Sequence, residues 1–126
     1  MAMEGKSNIK NASELFFQAW AESTNDFEKF TPAHYVARHQ PTVEDKLMWD
    51  QTALKFALKI KDDTMKAHYP SLYLNIAKCY EDLKDFDSAN RQYQEALSYV
   101  GFLPQDGYDK IIKSGIYKGI ERVSNV

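Results

Sequence analysis

Between Pro70 and Leu103 three alanines are interleaved with Tyr73, Tyr80 and Tyr93 around a single break, and this pattern constrains the chain more than any other. Leu72, Tyr73, Ile76, Ala77, Tyr80 and Leu83 recur at the three- and four-residue steps of one helical face. After the break at Lys84-Asp85, Ala89, Tyr93, Ala96, Leu97 and Val100 do the same. Pro70 suits the first turn of the first helix, and Asp85 suits the N-cap of the second. Two such helices joined by so short a turn must run antiparallel. Small residues are needed where their axes approach, and Ala77, Ala89 and Ala96 supply them. Tyr73, Tyr80 and Tyr93 fill the spaces alongside.

The remainder reads as helix too, so the expected fold class is all-α. Five glycines and four prolines interrupt the chain, and none forms a hairpin signal. Asn11 begins a first helix carrying Leu15, Phe16, Ala19 and Trp20, ended by Asn25 and Asp26. Thr31-Pro32 opens a short helix to about Ala37, closed by Gln40-Pro41. Thr42 caps a longer helix to about Lys61, with Leu47, Trp49, Ala53, Leu54, Phe56, Ala57 and Ile60 on more than one stripe. Residues 62–69 read as a connector and 101–107 as a loop. A last helix, capped by Asp106 and running to about Val123, places Tyr108, Ile111, Ile112, Gly115, Ile116, Gly119, Ile120 and Val123 on one face. Lys110, Lys113, Lys118, Glu121 and Arg122 fall on the other. Residues 1–10 read as a flexible arm and 11–126 as one domain, with residues 106–123 as a capping helix.

The alanine–tyrosine span resembles a tetratricopeptide repeat, a helical hairpin of about 34 residues. Tyr73 and Tyr80 stand at its large aromatic positions and Ile76-Ala77 replaces its Leu-Gly pair. Ala89 and Ala96 are the small residues of its second helix, with Tyr93 between them. The text from Leu74 to Tyr80, followed by Lys84-Asp85-Phe86-Asp87-Ser88-Ala89, is similar to the repeat's consensus. The match covers about a quarter of the chain; the usual proline after the second helix would fall at Gly101, and the helix from Thr42 reads as part of a degenerate preceding repeat. The resemblance implies a right-handed stack of helical hairpins closed by the C-terminal helix. It also implies a protein–protein interaction module of scaffold type, whose first helix lines a concave groove. Leu74, Asn75, Lys78 and Glu81 are the partner-binding residues it implies, beside Asp82. Some family members use Asn and Lys there to hold a partner's terminal carboxylate, and Asn75 fits such a position.

Charge and composition narrow the partner. Sixteen Lys and Arg against eighteen Asp and Glu give a net charge of −2, which excludes a strongly basic nucleic-acid binder. No window approaches the roughly 18 uninterrupted apolar residues of a membrane span, and the opening residues carry no apolar core of a secretory signal. With one cysteine, Cys79, no internal disulfide can form, and a cytoplasmic location is expected. The expected partner is a protein or peptide, with neither nucleic acid nor membrane.

Enzymatic chemistry finds little support in the residues. No glycine-rich phosphate loop exists, and Gly115-x-x-x-Gly119 falls inside a helix, where it permits close packing. His34 and His39, five apart, diverge on a helix and do not make the i, i+4 pair of a zinc site. Cys79 has no histidine near it in sequence. The adjacent acids Glu44-Asp45, Asp62-Asp63 and Glu81-Asp82 read as solvated or capping charges, not as an acid–base pair. No catalytic, cofactor or metal residue is therefore assigned. The rival readings are a small enzyme or ligand-binding domain using a pocket near His34, Tyr35 and His39, and a homodimer built through an exposed aromatic patch. Seven Phe, two Trp and eight Tyr make aromatics 13% of the chain. After the structural positions are removed, Phe17, Tyr35, Tyr69 and Tyr117 remain for contact, with Phe27, Phe30 and Trp49 undecided.

Overall fold

A computed structural model describes residues 36–125. The expectations for the N-terminal arm, the helix from Asn11, and most of the short helix after Pro32 lie outside those residues, as do Phe17, Phe27, Phe30, His34 and Tyr35. The described residues are helical, without a strand among them. The chain divides into two compact units, Met1–Ile60 and Lys61–Val126.

In the first unit α1 spans Val43–Lys59. Thr42 caps it as its sequence foretold, the side-chain oxygen accepting from the Asp45 N–H at 3.2 Å. Trp49, Ala53 and Ala57, four residues apart, form a buried stripe together with Asp50. Trp49 is therefore interior and not an open contact residue.

The second unit holds α2 (Tyr69–Asp82), α3 (Phe86–Ser98) and α4 (Tyr108–Ser124). Both connectors are more ordered than the sequence suggests. Residues Asp63–Ala67 and Val100–Phe102 each form a short 3₁₀ turn, and the Asp62 carboxylate caps the first by accepting from the Thr64 N–H. The break between α2 and α3 is a Schellman turn. The Asp85 N–H donates to the Tyr80 carbonyl and the Lys84 N–H to the Glu81 carbonyl, each at 2.9 Å. Lys84 takes the left-handed position that glycine usually fills (φ 64°). Asp85 then serves as N-cap of α3, accepting from the Ser88 N–H at 3.2 Å. One short segment thus ends one helix and starts the next, which forces the antiparallel hairpin.

Ala77, Ala89 and Ala96 are wholly buried along this hairpin. Around them lie two clusters. Ala77, Ala89, Tyr93 and Val123 pack together near the turn, with Leu74, Tyr80, Phe86 and Ile120 partly covering them. Ala96, Ile112 and Ile116 form the other, covered by Tyr73, Leu74, Leu97, Val100, Leu103 and Ile120. Both draw on α4, whose buried residues Ile112, Ile116, Gly119 and Val123 follow the i, i+4, i+7, i+11 steps of a single stripe.

Four sequence expectations need correction. Tyr108 (57% exposed) and Ile111 (67% exposed) do not face inward. Ile111 lies about 100° from the stripe centred on Ile112, and Tyr108 opens the helix, in its first turn. Leu83 sits at the C-cap of α2 and is exposed, because the helix face it would share has already turned away into the Schellman loop. Tyr69 is buried (8% exposed), its ring meeting Tyr99 edge-on at 5.0 Å, so it is a packing residue. Finally, Gly107 rather than Asp106 is the N-cap of α4. Its φ of 91° is open to glycine, and Asp106 and Asp109 close the turn around it. The Asp106 carboxylate accepts from the Tyr108 N–H at 3.0 Å and that of Asp109 from the Gly107 N–H at 3.1 Å.

Candidate groove between α2 and α4

Leu74, Asn75 and Lys78 of α2 line one wall of a groove of about 300 Å³. Gly115, Lys118 and Arg122 of α4 line the other wall, and the Tyr93 ring from α3 forms part of its floor. Two contacts fix how the walls run. A Cβ placed on Gly115 would sit 3.2 Å from Leu74 Cδ2, and Arg122 pairs with Glu81. Both join residues 41 apart, so α2 and α4 lie parallel and in register. Leu74 faces the glycine because nothing larger would leave room for it. The approach is closer still at Gly119, where a Cβ would overlap the Tyr93 ring. The expectation that Gly115 and Gly119 permit close packing is met at both positions, most sharply at the second.

Glu81 does not line the groove. It is the centre of a polar cluster that ties α4 to the hairpin. Arg122 Nε donates to its Oε2 at 2.7 Å, and Arg122 Nη2 donates to its Oε1 at 3.0 Å. The Tyr93 hydroxyl donates to the same Oε1 at 2.7 Å, and Arg122 Nη2 also reaches the Tyr93 oxygen at 3.3 Å. Such a side-on, two-bond pairing of guanidinium and carboxylate is the strong form of the interaction. The Glu81 side chain is 13% exposed against 47% for Arg122. Its reading as a solvated charge is thereby corrected: three helices converge on it. The Arg122 hydrogen bonds hold the Glu81 carboxyl below the usual carboxylate range. Burial, then the bond to Glu81, pushes the Tyr93 phenol well above its ordinary value. Glu81 in turn raises Arg122, which stays charged at any relevant pH.

Lys78 reaches Asp82 at 3.4 Å across one turn of α2, both side chains about half exposed. This is a weak surface pair. Asn75 is half-buried and Lys118 exposed, and neither has a hydrogen-bond or ion-pair partner among the described residues. Three of the four partner residues expected from the sequence therefore share one groove, and the fourth acts behind it. The sequence reading missed Gly115, Lys118 and Arg122. They are spaced i, i+3, i+7 along one flank of the α4 stripe, a signal visible in the sequence, but which flank meets α2 is a matter of packing.

Elsewhere the chemistry is sparse. His39 is half-buried, whereas His34 and Tyr35 lie outside the described residues. Cys79 is 1% exposed. No group of three or more metal-ligating side chains occurs among the described residues, and no helix among them is long and apolar enough to cross a membrane. No family model matches the chain, and no match was found among curated proteins or solved structures.

Proposed function

We propose that the chain is a non-enzymatic, tetratricopeptide-like interaction module that binds a protein or peptide in the groove between α2 and α4. The observation that carries this is the groove itself. Its floor is apolar, its rim polar, and the Asn75 amide and Lys118 ammonium on that rim are not engaged by the fold. The α2–α3 hairpin, with its wholly buried Ala77, Ala89 and Ala96, supports the repeat reading. The placement of α4 supports it further. A helix parallel to α2 stands where the first helix of a following repeat would. The offset of 41 residues is about seven longer than the repeat's roughly 34. On this reading α4 is the capping helix of the stack.

A saturating pull-down from extract of the source cells tests the proposal. Proteins retained by the full chain should be lost with Asn75→Ala plus Lys78→Ala, at unchanged helix content by circular dichroism. Retention of the same proteins at the same level would remove the groove from the account.

A further inference from the structure

The sequence puts apolar residues on more than one stripe of α1, and the structure buries only one of them. Trp49, Ala53 and Ala57 are interior with Asp50, whereas on the opposite face Met48 is 51% exposed and Leu58 48%. Leu47 and Leu54, seven residues apart, are half-buried along one edge of that outer face. A helix apolar on two sides is usually packed between neighbours. At about 100° per residue, the exposed Glu44, Met48, Gln51, Lys55 and Leu58 form a straight stripe with the alternating four- and three-residue steps of a helix-pairing seam. Charge along α1 is ordered as well. Its first turn carries Glu44 and Asp45, and its C-terminal half Lys55 and Lys59. That order suits the helix's own dipole, and the Lys59 ammonium also lies over the Phe56 ring of the same helix at 5.0 Å. Glu44 and Lys55 have no ion-pair partner among the described residues.

We infer that the outer face of α1 pairs with the same face of a second copy of this chain, the two helices antiparallel about a two-fold axis midway between Met48 and Gln51. This goes beyond the groove reading and does not rest on it. A two-fold contact requires a surface complementary to itself. In this register Glu44 of each copy meets Lys55 of the other, and Met48 lies across from Gln51 at the centre. On one edge Leu47 of each copy comes against Leu54 of the other, so aliphatic residues cover each other there. Parallel helices would instead set Glu44 against Glu44 and Lys55 against Lys55, so charge selects the antiparallel arrangement. The face is aliphatic, whereas the sequence suggested an aromatic patch for self-association. One helix face falls short of the roughly 800 Å² per partner of a stable complex. Association is therefore weak and reversible, half complete at about 0.1 mM.

Sedimentation equilibrium of the full chain, from about 10 μM to about 1 mM at low salt, tests the pairing. The chain should pass from monomer to dimer over that range. Glu44→Lys or Lys55→Glu alone, each folded by circular dichroism, should weaken association by about tenfold or more, because the two-fold axis repeats every repulsion. Mixed in equal amounts, the two variants should associate again, since each then meets the opposite charge at both positions. Arg91→Glu, the same charge change as Lys55→Glu at an exposed position of α3, should leave association within about twofold. A dimer that withstands Glu44→Lys and Lys55→Glu, or a mixture of the two folded variants that fails to recover, would overturn the pairing. A chain monomeric at every concentration would overturn it too, and would leave the face to a different protein.

Discussion

The two ends of the α2–α3 hairpin are held by different physics. Near the turn, Ala77, Ala89 and Gly119 bring three backbones close around the Tyr93 ring, and the Glu81–Arg122–Tyr93 cluster closes the joint. At the open end the spacing is set by rings. Tyr99 lies parallel to Tyr73 with centroids 6.0 Å apart, meets Tyr69 edge-on, and touches Phe102, over which the Lys66 ammonium sits at 5.1 Å. Small residues with a directional ionic bond tolerate little displacement, because every added atom meets another. Aromatic stacks tolerate more, since offset and edge-on geometries are close in energy. The difference teaches where this unit is rigid. The groove takes Tyr93 and Arg122 from that end, and its Leu74 packs against both clusters.

The largest test of that contrast is at Gly119. Gly119→Ala should destabilise the chain by about 2–3 kcal/mol in chemical denaturation, because the new methyl runs into a fully buried ring. Gly115→Ala, one turn earlier, should stay within about 1 kcal/mol of neutral. Its methyl meets only the end of the Leu74 side chain, and alanine gains helix propensity. Equal losses at the two glycines would erase the claimed rigidity of the turn end.

Next in size is the ionic joint. Arg122→Met should cost about 1–2 kcal/mol, a loss moderated by the exposure of the arginine. The same joint predicts a pH dependence. The folded Glu81 carboxyl is held below its unfolded value, so its contribution is complete above about pH 5 and is lost as pH falls through the folded pKa. Denaturation midpoints compared from neutral pH downward should show Glu81→Gln flattening the acid limb. An acid limb unchanged by that substitution would remove Glu81 from the joint's energetics.

At the open end the expected effect is smaller and depends on the ring. Tyr99→Leu should cost about 1 kcal/mol, since three ring contacts are lost while apolar volume is largely kept. A loss as large as that at Gly119 would mean that both ends are equally rigid. The smallest effect is a gain. Lys84→Gly relieves a left-handed side-chain residue in the Schellman turn and should stabilise by up to about 1 kcal/mol. A destabilisation there would show that the Lys84 side chain contributes more than its backbone costs.

Much of the helical structure is legible in the sequence. Thr42 and Asp85 cap as their residue types dictate, and the buried alanines fall where the three- and four-residue steps put them. Local hydrogen bonding and helical period are properties of a short window, which is why they survive being read one segment at a time. The misreadings share the opposite cause. Tyr69 looked available and is buried; Tyr108 and Ile111 looked buried and are exposed. A helical wheel gives an angle, not the extent of the neighbour that covers it.

The sequence by itself determined that the described residues fold as helices, that residues 70–98 turn back as a hairpin, and that three alanines sit at its seam. Tertiary structure alone decided that α4 lies parallel to α2, that Glu81 turns behind the groove to meet Arg122, and that Lys118 shares that groove with Asn75 and Lys78. The reason is distance along the chain. Contacts within a turn are fixed by residue type and period, whereas a pairing 41 residues apart depends on how a nine-residue connector and two packed helices deliver one side chain to another.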